Sequence, residues 1–126
     1  MVFRSARHTN NLEQIIHFYC NILQLELLGD FRNHDQYDGV FLGIRDCDWH
    51  LEFTTSDKMA HHTFGEDDML VFYPVDKLDY DAILKIIAEQ KIMTYKSNNP
   101  YWNNNGIMIK DPDGYNVIIS RLKIIE

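Results

Sequence analysis

The residues whose types and spacing could do chemistry lie in the segment Trp49-His50-Leu51-Glu52-Phe53-Thr54. Polar and apolar side chains alternate there, so on a strand His50, Glu52 and Thr54 share one face while Leu51 and Phe53 share the other. An imidazole and a carboxylate on one face suit a hydrogen-bonding pocket. In the alternative they are two ligands of a metal, with His8 as a third. A second candidate group is Tyr101 and Trp102, set in the polar run from Lys96 to Gly106. Large aromatics in such a loop read as a flap over a pocket or a patch against a partner, or else Trp102 fills its own core. His61 and His62 stand in a polar stretch and read as solvated or packed at a subunit boundary. Cys20 and Cys47 lack the spacing of a zinc or redox pair and read as reduced thiols. A serine nucleophile with a histidine base, a phosphate-binding glycine loop and a haem motif are all missing, and the six glycines are scattered singly.

Charge narrows the partners. The 126 residues carry 12 Lys plus Arg against 19 Asp plus Glu, a formal charge of −7, which repels phosphate backbones and anionic membrane surfaces. Nucleic acid and membrane are therefore not expected as partners. No apolar run is long enough to span a bilayer, and Met-Val-Phe-Arg-Ser-Ala-Arg lacks the apolar core of a signal peptide, so a cytoplasmic protein is expected. With 45% hydrophobic residues, the length suits one domain.

The elements that must position these residues occur twice. Val2 to Thr9 has a strand pattern; Asn10 or Asn11 then caps a helix with Leu12, Ile15, Ile16, Tyr19, Ile22 and Leu23 on one face. Leu25 to Phe31 follows as a strand, Asp30 to Gly39 as a polar connection, and Val40 to Ile44 with Trp49 to Thr55 as a hairpin. After an exposed linker the order restarts, with Met69 to Tyr73 as a strand, a helix capped by Asp76 or Asp79, and Ile92 to Tyr95 as a strand. Asp111-Pro112-Asp113-Gly114 makes the final tight hairpin between Ile107 to Ile109 and Val117 to Ile119. Arg45, Asp46 and Asp48 precede Lys110, Asp111 and Asp113 by a constant interval, so the turn itself reads as repeated. The expected fold is α+β, two tandem βαβββ modules: module 1 about 1–55, linker 56–67, module 2 about 68–126.

Two such modules, with Phe18-Tyr19-Cys20-Asn21-Ile22-Leu23-Gln24-Leu25 early and Asp111-Pro112-Asp113-Gly114-Tyr115 late, resemble the vicinal oxygen chelate superfamily. It includes glyoxalase I, extradiol dioxygenases and the bleomycin and fosfomycin resistance proteins. Gln24 stands where the common Phe-Tyr-x-x-x-Leu-Gly pattern has its glycine. Tyr37-Asp38-Gly39, His50 to Thr54, Leu70 to Tyr73 and Asn99 to Trp102 further resemble a group of small bacterial members. The resemblance implies a cup-shaped mixed sheet with helices outside.

Metal-using members draw one ligand from the first and one from the last strand of each module. Carried over, those positions are Arg4, Glu52, Leu70 and Ile118, of which only Glu52 can bind a cation. The resemblance thus implies a cup without metal or other cofactor, lined by Arg4, Ala6, His8, His50, Glu52, Leu70, Phe72 and Ile118, with Tyr101 and Trp102 as further ligand-binding candidates. It implies a protein that binds a small, partly aromatic or anionic molecule, and a homodimer. An ion pair between Arg4 and Glu52, with His8 or His50 taking a further bond, is expected to stand in the metal's place. The alternatives are a lyase or dioxygenase with one divalent metal in a non-standard set around His50 and Glu52, and an interaction protein whose cup is filled by its own side chains.

Overall fold

A computed structural model describes residues 1–125, and the chain divides into two compact units, Met1–His62 and Thr63–Glu126. The end of the expected second module, Glu126, lies outside the described residues. The first unit runs β1 (Phe3–His8), α1 (Leu12–Ile16), β2 (Glu26–His34), β3 (Tyr37–Gly43) and β4 (Trp49–Thr55). Its sheet has the order β1-β4-β3-β2, with β1 parallel to β4 and the other pairs antiparallel.

Asn11 is the cap of α1, its side-chain oxygen accepting from the Gln14 amide at 3.1 Å. The expected single helix changes register: His17–Ile22 is a π-helical turn, and the Leu23 amide donates to the Phe18 carbonyl five residues back. It ends on Gln24 at φ +66, the left-handed region that accounts for the glycine of the common pattern. Gln24 holds that conformation with a 2.9 Å bond from its side-chain amide to the Asn21 carbonyl. Ile15, Phe18 and Tyr19 bury against Val40, Leu42, Leu51 and Phe53, and the Tyr19 and Phe53 rings lie 5.1 Å apart. One face of the sheet is thereby closed. The other carries Arg4, Ala6 and His8 of β1 beside His50, Glu52 and Thr54 of β4.

Two expectations for this unit are corrected. The polar connection Asp30 to Gly39 is mostly sheet: β2 and β3 run on to a two-residue turn, Asp35-Gln36, at φ +51 and +72, as a tight hairpin requires. Arg32 to Tyr37 are exposed, so this hairpin tip has no apolar face to betray it. The linker is also less free than its composition suggests. Asn10 exchanges two hydrogen bonds with the Ala60 backbone, at 2.7 and 3.3 Å, and the His62 ring donates to the His8 carbonyl at 2.7 Å.

The second unit contains β5 (Met69–Phe72), α2 (Lys77–Glu89), α3 (Pro100–Asn105), β6 (Gly106–Lys110) and β7 (Asn116–Ser120), its sheet in the order β5-β7-β6. Asp76 caps α2, accepting from the Leu78 amide at 2.7 Å, and Ile83 and Ile87 are its buried residues. The strand expected at Ile92 to Tyr95 is reduced to one bridge, Tyr95 to Met108, because Met93, Thr94 and Tyr95 are exposed and bury too little to hold a ladder. The loop Lys96 to Gly106 instead forms α3, capped by Asn99 with Pro100 at its first position.

The final hairpin turn forms as expected, but it is not a copy of the earlier one. Asp111 is buried and its carboxylate accepts from the Asp113 and Tyr115 amides, both at 3.0 Å, while the positive φ falls on Gly114. In the first turn the positive φ falls on Asp46 itself, the residue aligned with Asp111.

Candidate functional site

Parallel pairing of β1 with β4 puts Arg4 directly beside His50 and Ala6 beside Glu52, all on the face away from α1. Antiparallel pairing of β3 with β4 then sets Phe41 opposite Glu52 and Gly43 opposite His50. A β-carbon at Gly43 would stand 3.2 Å from the His50 β-carbon and 3.1 Å from the Leu28 Cδ1, so glycine makes room for both side chains. Arg4 occupies the middle of this arrangement.

The Arg4 Nε–H donates to His50 Nε2 at 2.9 Å, and Nη1 donates to Glu52 Oε1 at 3.2 Å. The guanidinium carbon lies 5.1 Å from the Phe41 ring centre, within reach of a cation–π attraction. Phe41 in turn sits 5.7 Å from both the His50 and Phe31 rings. Because His50 accepts through Nε2, that nitrogen carries no proton. The pair is unevenly solvated: the Arg4 side chain is 51% exposed and that of Glu52 15%. Only the carboxylate has lost most of its water. Arg4, Leu28, Phe41 and His50 line a recess of about 280 Å³.

The expected ion pair of Arg4 and Glu52 is therefore present, with His50 as the third member. His8 is not. It shares their strand face, but its Nδ1 meets the Thr54 hydroxyl at 2.8 Å and its Nε2 the Lys58 carbonyl and Ser56 hydroxyl at 3.0 and 3.1 Å. Its role is to hold the start of the linker. Tyr101 and Trp102 lie in α3 of the second unit, rings 5.0 Å apart, Tyr101 exposed and Trp102 half-buried.

The second unit corrects the positions carried over for its strands. Parallel register pairs Leu70 with Val117 and Phe72 with Ile119, so Leu70 and Phe72 are on the opposite face from Ile118, which pairs with Val71. The residues matching Arg4 beside His50 and Ala6 beside Glu52 are Met69 beside Asn116 and Val71 beside Ile118. Met69 thus replaces Leu70 as the counterpart of Arg4. Ile118 is fully buried and offers no surface to a ligand. Of the positions that the resemblance carried over as metal ligands, the first unit supplies Arg4 and Glu52 and the second Met69 and Ile118. Only Glu52 among them is a donor suited to a divalent ion, which takes several nitrogen or oxygen donors. Among the described residues no group of three or more His, Cys, Asp or Glu could hold one.

Phe41 and Leu28 were missed from the sequence. Phe41 could have been found: counting back from the turn puts it opposite Glu52, but the continuous apolar run Val40 to Ile44 conceals which way it points. Leu28 sits in a register shift between Leu27 and Gly29, which no pattern announces. Elsewhere, Cys20 is half-buried, which pushes its thiol up, and Cys47 is exposed in the first turn. No helix among the described residues is long and apolar enough to cross a membrane.

Comparison with known proteins matches the two halves in order. Models of the YycE-like N-terminal domain and the YycE-like C-terminal domain fit residues 3–54 and 67–121. The uncharacterized protein YycE of Bacillus subtilis (strain 168) is 38% identical over 121 residues, 95% of this chain and 87% of YycE. The crystal structure of a Bacillus subtilis YycE protein superposes with a TM-score of 0.85 at 36% identity, covering 99% of this chain and 92% of that one. At 17% identity the likeness extends to the trypanothione-dependent glyoxalase I of Leishmania major, with a TM-score of 0.74 over 98% and 87% of the two chains. TnmS3, an antibiotic binding protein from Streptomyces sp. CB03234, also at 17% identity, has a TM-score of 0.64 over 96% and 94%. These last two share the fold. Matched in both halves and along nearly its whole length, the chain belongs to the YycE-like family, on the vicinal oxygen chelate fold of the glyoxalases and bleomycin-resistance proteins.

Proposed function

We propose that this protein binds a small, partly aromatic or anionic molecule on the sheet face around Arg4, without a metal. The observation that carries this reading is the guanidinium of Arg4, tied to His50 and Glu52 and lying over Phe41. A fixed cation beside an aromatic wall attracts an anion without any ion's help. The fold is one that serves both a glyoxalase I and TnmS3, whose name is that of an antibiotic binding protein, so it is compatible with metal-free binding. The protein works in the cytoplasm as a homodimer, which covers exposed sheet edges, and its partner is the small molecule and neither nucleic acid nor membrane.

Elemental analysis of protein purified without chelator tests the metal, and thermal melting against a panel of organic acids tests the binding. The expected results are no stoichiometric divalent metal and a raised melting temperature with some acids that Arg4→Ala abolishes. One tightly held metal per chain would instead favour a lyase or dioxygenase using His50 and Glu52. Light scattering checks the dimer.

A further inference from the structure

We propose that the recess at Arg4 is a subsite for a monoanionic aryl carboxylate, its carboxylate on the guanidinium and its ring against Phe41 and Leu28. This rests on the ligand-binding reading above and narrows it to one chemical class. Arg4 has five N–H donors. One goes to His50 and one to Glu52, which leaves three on a planar group that is already oriented and half in water. A fork of that kind, fixed beforehand, recognises a two-oxygen anion at little entropic cost.

Charge decides how many negative charges the anion carries. Arg4 and Glu52 cancel, and His50, accepting at Nε2, is engaged as an unprotonated nitrogen. A carboxylate adds one charge to a neutral group of side chains. A phosphate monoester would add nearly two, close to a Glu52 oxygen that lies only 3.2 Å from Nη1 and is poorly hydrated. The formal charge of −7 on the whole chain opposes the dianion further. The wall decides the rest of the molecule. Phe41 presents an aromatic surface in series with Phe31, and Leu28 closes the side, so a flat ring is the group that fits. The recess, about 280 Å³ and open to solvent, has room for one ring with its acid.

Calorimetric titration of the full chain with benzoate, benzamide, acetate, cyclohexanecarboxylate and phenyl phosphate tests the proposal. Benzoate is expected to saturate the protein, benzamide and acetate to bind about tenfold more weakly or worse, and phenyl phosphate no more tightly than benzoate. Arg4→Ala, checked for native circular dichroism, should weaken benzoate about tenfold, and Arg4→Lys should recover only part, since it restores charge without the fork. Glu52→Gln should shift preference towards phenyl phosphate, and Phe41→Leu should remove the preference for benzoate over cyclohexanecarboxylate. Failure of benzoate to saturate by about 10 mM, or unchanged benzoate binding by Arg4→Ala, overturns the subsite. Benzamide binding as well as benzoate overturns the carboxylate while leaving a metal-free ligand site standing; a stoichiometric metal, read separately by elemental analysis, removes the broader reading itself.

Discussion

Removing Arg4 and Glu52 singly and together measures what holds the site when no ligand is bound. At their 3.2 Å separation and an effective dielectric of about 20, two unit charges attract by about 5 kcal/mol, which bounds the pair from above. With the Arg4 side chain 51% exposed, water screens most of that, and exposed pairs measure about 0.2–1 kcal/mol. Glu52 is 15% exposed, so the value belongs near the upper end, and a coupling of about 1 kcal/mol is expected. Arg4→Ala also forfeits the Phe41 contact, about 0.5 kcal/mol, and the His50 bond, about 0.5–1 kcal/mol, for a total near 2 kcal/mol. Glu52→Gln costs less, since its amide oxygen still accepts from Nη1. Urea unfolding of the four proteins, followed by the fluorescence of half-buried Trp49 and Trp102, gives the cycle. Raising salt to about 1 M should shrink the coupling by more than half. A coupling within about 0.2 kcal/mol of zero at low salt would mean that the two charges do not pair in solution, and the account of the site would fail with it.

Two further outcomes test how the fold presents this face. Gln24→Gly relieves a left-handed residue at a cost in backbone entropy and one hydrogen bond, so a net gain of about 0.5 kcal/mol, or about 2 °C in melting temperature, is expected; a lower melting temperature would refute the assignment of strain to Gln24. Asp111→Ala strips the carboxylate that accepts from two turn amides and should destabilise by about 2–3 kcal/mol in urea unfolding, whereas Asp46→Ala, whose turn is built differently, should cost under about 1 kcal/mol.

The parts of the fold legible in the sequence are those where one face is buried. Alternation in Trp49 to Thr55 placed His50 and Glu52 together, because Leu51 and Phe53 must meet the helix and the strand period does the rest. The helix caps at Asn11 and Asp76 were legible from side-chain chemistry alone. What failed lacked that constraint. The hairpin tip at Asp35-Gln36 is polar on both faces, and Ile92 to Tyr95 looked like a strand but buries too little to pair beyond one bridge. Met69 to Phe72 is apolar at every position, so periodicity could not say which face Leu70 takes, and an alignment one residue out moved it to the wrong side. For His8, strand parity was right and insufficient. A side chain at the last position of β1 can bend to the linker, and two polar groups there, with Thr54 of β4, draw it away from Arg4.

The corrected register also says where chemistry can occur in this chain. Five strand positions correspond between the units: Arg4 with Met69, His50 with Asn116, Glu52 with Ile118, Phe41 with Met108, and Gly43 with Lys110. In the first unit these positions hold a cation, an anion, an imidazole and an aromatic ring, partly open to solvent. In the second, Ile118 and Met108 are buried, and buried Asn116 is used up on structure, accepting from Lys110 Nζ at 3.1 Å and donating to the Glu66 carbonyl at 2.8 Å. The Lys110 ammonium lies 5.0 Å from the Tyr95 ring, on the one bridge left of the missing strand. A buried amide with both ends bonded costs free energy to disturb, and a buried isoleucine cannot reach a ligand. Two modules of common plan have therefore diverged in opposite senses, one face closed by apolar packing and the other kept polar at the expense of a partly dehydrated carboxylate. A partly buried ion pair contributes little stability that apolar packing could not. The charge at Arg4 and Glu52 is therefore an expense that the proposed ligand-binding role of this face would account for.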